Sequence, residues 1–382
     1  MNNKEIGRVI TPIGIVKEMI NMVDLIPSFV VDAGTGDGRF IKELYQYYPN
    51  AKYIGIDIDS SLFPNNPPQN VKYIKEDFLL WNWDTNPNLV IGNPPYGIIG
   101  QTINHGRKKI KIYKSILSTW QGKYNYYAAF IEKGIRILKD KGQLLFIVPG
   151  TFMFLDSFAK LRAFISKNGY LQIYYKGKVF KNANVSSVII SFYKGIDMGC
   201  VKIDDDLQRW NGNPISFSSQ FTKYLENESK IKIKDLFDVI IAPRTTEIKK
   251  YISDNGKIPV LTSKNIKKGN IVFDGIKYYI DENTLSQVRK GLNNPPYIAV
   301  TMGFFEKKTL NASVITHKVG WYGDVYLLIP KSTINIDTLK NISEYLSSKM
   351  VSRYLQDKYR DLIYHISKSI LEDIPLPKEV EK

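Results

Sequence analysis

The sequence predicts an α/β fold, with strands and helices alternating around a mostly parallel sheet. Three observations carry this. Apolar runs of strand length recur through the first half, separated by segments with helical spacing. A glycine-rich turn, "DAGTGDG", follows the first such run. The chain has 382 residues, 43% of them hydrophobic, enough for two cored domains.

"SFVVDAG" reads as a buried strand that ends in turn residues. "RFIKELYQYY" follows with Phe40, Ile41, Leu44 and Tyr48 on one helical face. "KYIGIDID", "VKYIKEDF" and "NLVIG" are the next strands. "YYAAFIEKGIRIL" is an amphipathic helix on Tyr127, Ile131, Ile135 and Leu138. "QLLFIVP" is another strand, and "LQIYYKGKVF" with "SSVIISFY" forms a hairpin. Such a sheet places ligands at the carboxyl ends of its strands. From about Gly195 to Gln220 Gly, Asn, Pro and Ser cluster, so a junction is expected there, dividing residues 1–210 from an α+β domain at 211–382.

Composition narrows the function. No run is long enough for a membrane span, since "LLFIVPGTFMFL" is broken by Pro149 and Gly150. The polar start lacks a secretory core, which predicts a cytoplasmic protein. Cys200 is the only cysteine, excluding an intrachain disulfide and a thiolate zinc site; His317 and His365 sit near no acid pattern, so no metal is expected. The net charge of +16 is uneven: −3 over residues 1–100, +13 over 101–200 and +6 beyond. The excess begins at "HGRKKIKIYKS", which suits a polyanion whose phosphates need neutralising.

In "DAGTGDG", Gly34, Gly36 and Gly38 let the backbone approach a ligand and turn into a helix. Asp57, at the tip of the second strand, suits two ribose hydroxyls. The spacing is DxGxGxG rather than GxGxxG. Asp32, before the first glycine, would repel pyrophosphate and would suit the cationic end of S-adenosyl-L-methionine. Asp77 is placed either to accept from an adenine amino group or to cap a turn, and Phe78 either to pack on that ring or to fill core. In "LVIGNPPYGIIG", Pro95 forces Pro94 out of the helical region and neither proline donates a hydrogen bond, which makes a stiff turn.

With these motifs in order, the chain resembles the gamma-class amino-type DNA methyltransferases of the TaqI type, which make N6-methyladenine. "TPIGIV", "DAGTGDG", "IGIDID", "EDFLLW" and "GNPPYGIIG" follow the family's sequence, and "STWQGKYNYYAAF" and "YYKGKVFKNANVSSVIISF" extend the likeness to about residue 195. The resemblance implies a Rossmann-like S-adenosyl-L-methionine-dependent sheet with helices on both faces. Thr11 would belong to the cofactor-covering segment. An exocyclic amine is a poor nucleophile because its lone pair is delocalised. The Asn93 side-chain oxygen and the Pro94 carbonyl would accept its two N–H groups and free that lone pair. Tyr96 would stack on the flipped base, with Phe180 on its other face. Arg107, Lys108 and Lys109, read as a loop, would touch phosphates.

The second half carries no catalytic constellation. "APRTTEIKKYI", "IPVLTSKNIKKGNIVF" and "SKSILEDIPLP" resemble the target-recognition domains of restriction–modification specificity subunits. Arg244, Lys264, Lys267, Lys268, Lys307 and Lys308 are then expected DNA contacts. The resemblance implies a site-specific adenine methyltransferase acting as a monomer on duplex DNA, with a cognate restriction endonuclease as genetic partner. Protein-glutamine and RNA adenine methyltransferases share the NPPY chemistry and stand as alternatives, as does a non-catalytic specificity subunit.

Overall fold

The apolar run Phe29–Ala33 (β1) lies inside a nine-stranded sheet. The computed structural model describes residues 9–82, 84–101, 106–180, 185–254, 256–284, 295–303, 309–363 and 365–377. In it the chain divides into two units, Met1–Ser216 and Phe217–Lys382.

The first unit holds β1, β2 (Lys52–Asp57), β3 (Val71–Lys75), β4 (Leu89–Gly92), β5 (Gln143–Pro149), β6 (Gly169–Gly177), β7 (Ser187–Lys194), β8 (Cys200–Ile203) and β9 (Asp206–Arg209), in spatial order 3-2-1-4-5-7-6-8-9. Strands β3, β2, β1, β4 and β5 are parallel neighbours, and β7 runs antiparallel to both β5 and β6. Every residue of β1, β4 and β5 is buried, so both faces of the sheet are covered there, which is why these strands read as unbroken apolar runs. The order reverses between β1 and β4, and the crevice at that reversal is where such sheets hold ligands.

Helices α1 (Ile13–Asn21), α2 (Arg39–Tyr47), α3 (Gly106–Ile116), α4 (Tyr126–Ile137) and α5 (Ala159–Asn168) complete the unit. The expected apolar faces are buried at Phe40, Ile41 and Leu44 and at Tyr127, Ile131, Ile135 and Leu138. Tyr48 instead caps α2.

Two expectations need correction. "GRKKIKIYK" is the helix α3, not a loop: Tyr113 is buried on its inner face, and Ile110 and the buried Leu117 share the i, i+3, i+7 stripe beneath the charges. The stretch after Gly195 is not wholly irregular. β8 and β9 form a hairpin added to the β6 edge, and β8 alternates between half-buried and buried residues with period two. The division between units falls at 216/217 rather than 210/211. The chain stays bound to the first unit through Trp210, whose N–H donates to Gly199 O at 2.9 Å, and Ile215, whose N–H donates to Met153 O at 2.8 Å.

The second unit is α+β. Strands β10 (Phe237–Ile241), β18 (Val325–Pro330), β15 (Tyr297–Thr301) and β16 (Ala312–Ile315) make an antiparallel sheet in that order. A three-stranded sheet comprises β14 (Tyr278–Ile280), β11 (Ile258–Leu261) and β17 (Gly320–Trp321). Its core joins Val260, Leu261, Ile280, Tyr297, Trp321 and Leu327, and the Trp321 indole N–H donates to the Tyr297 hydroxyl at 2.9 Å. Helices Ile336–Leu346 and Lys349–Tyr359 are N-capped by the Asn335 and Ser348 side chains. Among the described residues no helix is long and apolar enough to cross a membrane, and no His, Cys, Asp and Glu cluster could hold a metal ion.

Candidate active site

A pocket opens at the carboxyl ends of β1, β2 and β4. Its lining includes Thr11, Gly34, Gly36, Asp57, Asp77, Phe78 and Asn93. The glycine turn is stapled to the end of β2: Gly34 and Thr35 donate to Ile56 O at 2.9 and 3.0 Å, and Gly36 donates to Asp57 Oδ2 at 3.0 Å. Asp57 Oδ1 accepts from Asp59 N–H at 3.0 Å. At Gly36 the backbone φ of 54° and the open space around a would-be Cβ give a bare peptide surface to the pocket.

Gly38 works differently. It does not line the pocket, and a Cβ there would sit 2.4 Å from the Tyr73 hydroxyl, with φ at 71°. It is glycine so that β3's tyrosine can pack under the turn.

Asp32 is also displaced from its expected role. It is wholly buried on the central strand and absent from the pocket lining, because β2 and β4 flank it on both sides. Thr35 Oγ1 donates to its Oδ2 at 2.6 Å, while its Oδ1 has no partner. Burial, opposed by the Thr35 hydrogen bond and aided by the Asp57 and Asp37 charges, pushes its carboxyl up to about 7. Asp37, beside the Arg39 guanidinium, is held below the usual carboxylate range.

Also in the lining, Asp77 accepts from Leu79 N–H at Oδ1, 3.0 Å away, and from the Tyr113 hydroxyl at Oδ2, 2.5 Å away. Lys109 pairs with the same Oδ2 at 2.7 Å, so its ammonium is not presented to phosphates as expected; Arg107 and Lys108 remain exposed on α3. Burial and Asp77 together push the Tyr113 hydroxyl above its ordinary range. Phe78 is buried against Phe130, their ring centroids 4.9 Å apart.

Asn93 follows β4 and also lines the pocket. Its Nδ2 donates to Val9 O at 2.9 Å and to Thr11 Oγ1 at 3.0 Å. Its Oδ1 is buried and accepts nothing. Pro94 and Tyr96 are buried and lie outside the lining. Tyr96 donates to Ile147 O at 3.3 Å, and its ring meets Phe180 edge-on, centroids 5.9 Å apart at 74°. With Tyr96 9% and Phe180 4% exposed, the two do not form the open, parallel slot expected of them. They fill one another's space.

In the second unit Lys264, Lys267 and Lys268 are exposed on one short stretch around the β12 (Ile266–Lys267) and β13 (Asn270–Ile271) hairpin, and Arg244 is exposed elsewhere. Lys307 and Lys308 lie outside the described residues. Sequence reasoning missed Val9, Arg39, Tyr73 and Tyr113. Only Tyr113 carried a usable signal, its helical spacing from Lys109.

Comparison with known proteins identifies the relatives of this chain. Residues 45–180 match the Eco57I restriction-modification methylase family. The chain is 30% identical over 405 residues to the type II methyltransferase M.TthHB8I of Thermus thermophilus, covering 99% of this chain and 93% of that relative. It is 29% identical to M.HincII of Haemophilus influenzae over 52% of this chain and 39% of that relative. Among solved structures, the nuclease-deletion mutant of the type ISP restriction–modification enzyme LlaGI aligns with a TM-score of 0.52 at 13% identity. That alignment covers 86% of this chain and 49% of LlaGI and speaks for the fold alone.

Proposed function

The chain belongs to the type II methyltransferases of restriction–modification systems, and on that basis we propose that it transfers a methyl group from S-adenosyl-L-methionine to N6 of an adenine flipped out of duplex DNA, as in the gamma class of the TaqI type. One observation carries the reading: Asn93, whose Oδ1 is buried and unpartnered, lines the same pocket as the glycine turn, Asp57, Asp77 and Phe78.

These residues fit the cofactor. Gly36 leaves room for close approach of a nucleoside, Asp57 offers acceptors to ribose hydroxyls, and Asp77 with Phe78 suits an adenine edge and face. When bound, the cofactor supplies a methyl group on a positively charged sulfur. Asn93 Oδ1 would accept one N–H of the target amine and the Pro94 carbonyl the other once the base reaches it, since Pro94 itself is buried beside the pocket-lining Asn93 and Pro95. Held in this way, the amine's lone pair would be freed from the ring to take the methyl group, the C–S bond would break to leave a neutral thioether, and the nitrogen would lose one proton. Asp32 acts from beneath the turn, supporting it through Thr35 rather than touching the ligand.

Extruding the base costs a few kcal/mol, and stacking on an aromatic returns about 1–3 kcal/mol. Tyr96 and Phe180 supply that stacking after their edge-on contact opens. Arg107 and Lys108 neutralise phosphates. The second unit reads the DNA sequence, with Lys264, Lys267, Lys268 and Arg244 on its charged surface. A separate restriction endonuclease is the genetic partner, and the methyltransferase acts as a monomer in the cytoplasm.

The test is incubation with labelled S-adenosyl-L-methionine and unmethylated genomic DNA, then nucleoside analysis and mapping of modified positions. N6-methyladenine within one short recurring sequence is expected. Label in N4-methylcytosine, in RNA or in protein glutamine instead would overturn the assignment.

A further inference from the structure

An asparagine amide has a donor end and an acceptor end of nearly the same shape, and only its surroundings decide which end faces a substrate. Around Asn93 the decision is made by the segment just before α1. The Val9 carbonyl can only accept, so the amide group 2.9 Å from it must be the NH2. Thr11 Oγ1 takes the second N–H at 3.0 Å. Both donors are consumed, and Oδ1 is left as a buried acceptor with no hydrogen-bond partner.

The segment is itself held from both sides. The Thr11 carbonyl accepts from the Arg39 guanidinium, and Arg39 Nε pairs with Asp37 Oδ1 at 2.9 Å. Pro12 O accepts from Ile15 and Val16 as α1 begins, at 3.0 and 3.1 Å. Thr11 is only 3% exposed, so water does not compete for its hydroxyl.

We propose that Thr11 is a positioning residue for methyl transfer: its hydroxyl, with the Val9 carbonyl, holds the Asn93 amide in the one orientation that presents an acceptor to the target amine. This rests on the function proposed above and deepens it, because the family resemblance implied only a cofactor-covering role for this segment. A reversed amide would turn N–H groups toward the amine's own N–H groups, losing the acceptor and leaving its oxygen against the Val9 carbonyl. Thr11 acts through Asn93 and makes no contact with the reacting atoms.

The experiment compares the parent with Thr11→Val, Thr11→Ser and Asn93→Ala. It measures single-turnover methyl transfer to duplex DNA at saturating cofactor, and separately the S-adenosyl-L-methionine dissociation constant. Valine keeps the shape and removes the hydroxyl; serine keeps the hydroxyl. Thr11→Val is expected to slow the transfer step at saturating cofactor by about 10–100-fold, with the cofactor dissociation constant shifted by a much smaller factor, which also shows that the pocket is folded, and Thr11→Ser is expected to recover most of the rate. The proposal is overturned if Thr11→Val transfers at the parent rate, if its deficit lies wholly in weaker cofactor binding, or if Thr11→Ser is as slow as Thr11→Val. Failure of the underlying function looks different: the parent itself would then leave no methyl on adenine.

Discussion

The two units treat buried polar atoms differently. In the first, Asp32 Oδ1, Asn93 Oδ1, Gln121 Oε1 and Ser186 Oγ are among the buried atoms without partners, and all but Gln121 lie near the ends of β1, β4 and β7. In the second, among the described residues, only Ser343 Oγ is in that state. Its buried Trp321 and Tyr297 satisfy each other, and its helices close with side-chain caps. An unmet buried acceptor costs roughly 1–3 kcal/mol, and a fold keeps one where a ligand will meet it. The second unit instead carries exposed charge on Lys264, Lys267 and Lys268, where water satisfies it. On the proposed function, preorganised chemistry and surface recognition would leave these different traces.

The sharpest way to break this contrast is Asn93→Ala. Loss of one preorganised acceptor should slow methyl transfer by about 10²–10³-fold, while DNA and cofactor affinities stay near those of the parent. A variant that transfers normally would mean the orphaned oxygen does no chemistry.

Asp32 supplies the next test, through pH. Its folded carboxyl lies at about 7 against 3.8 unfolded, so the folded state holds a proton that the unfolded chain releases. Its contribution to stability is therefore fully present below pH 3.8 and is lost as pH rises toward 7, by a few kcal/mol in all. Subtracting the urea-unfolding stability of Asp32→Asn from that of the parent across pH 4 to 8 should give this downward slope. A flat difference would show that Asp32 is charged in the folded protein.

A smaller effect is expected at Gly38. Alanine there meets Tyr73 and a left-handed backbone together. It should lower stability by about 1–2 kcal/mol from the backbone alone, with Gly36→Ala impairing cofactor binding more than folding. The reverse pattern in thermal melts and binding titrations would exchange the two roles.

Smallest are the single lysines of the second unit. Lys264→Ala, Lys267→Ala or Lys268→Ala should each weaken duplex DNA binding several-fold and reduce the slope of log affinity against log salt by about 0.9, leaving the cofactor dissociation constant alone. An unchanged slope would remove that lysine from the phosphate contacts.

Much of the first unit was legible because its requirements are local. Unbroken apolar runs mark strands buried on both faces, and positive φ at Gly34, Gly36 and Gly38 favours glycine whatever lies nearby. The α3 segment was misread because dense charge masked the Ile110, Tyr113 and Leu117 stripe, and the β8–β9 hairpin because short strands joined by Asp204 and Asp205 resemble a linker. The Tyr96–Phe180 contact could not be read, since it depends on two side chains 84 positions apart meeting edge-on.

By itself, then, the sequence determined which backbone segments can be strands, where the chain must turn through left-handed glycines, and that an Asn-Pro-Pro corner ends β4. Those properties follow from each residue's own sterics and hydrogen-bonding inventory. Tertiary structure alone decided that Asp32 is sealed beneath the turn, that Lys109 pairs with Asp77, and that Val9 and Thr11 take both amide N–H groups of Asn93 and leave its oxygen unpartnered. A side chain's partner, and with it its charge and orientation, depends on what folding brings within about 3 Å, and spacing along the chain does not encode that.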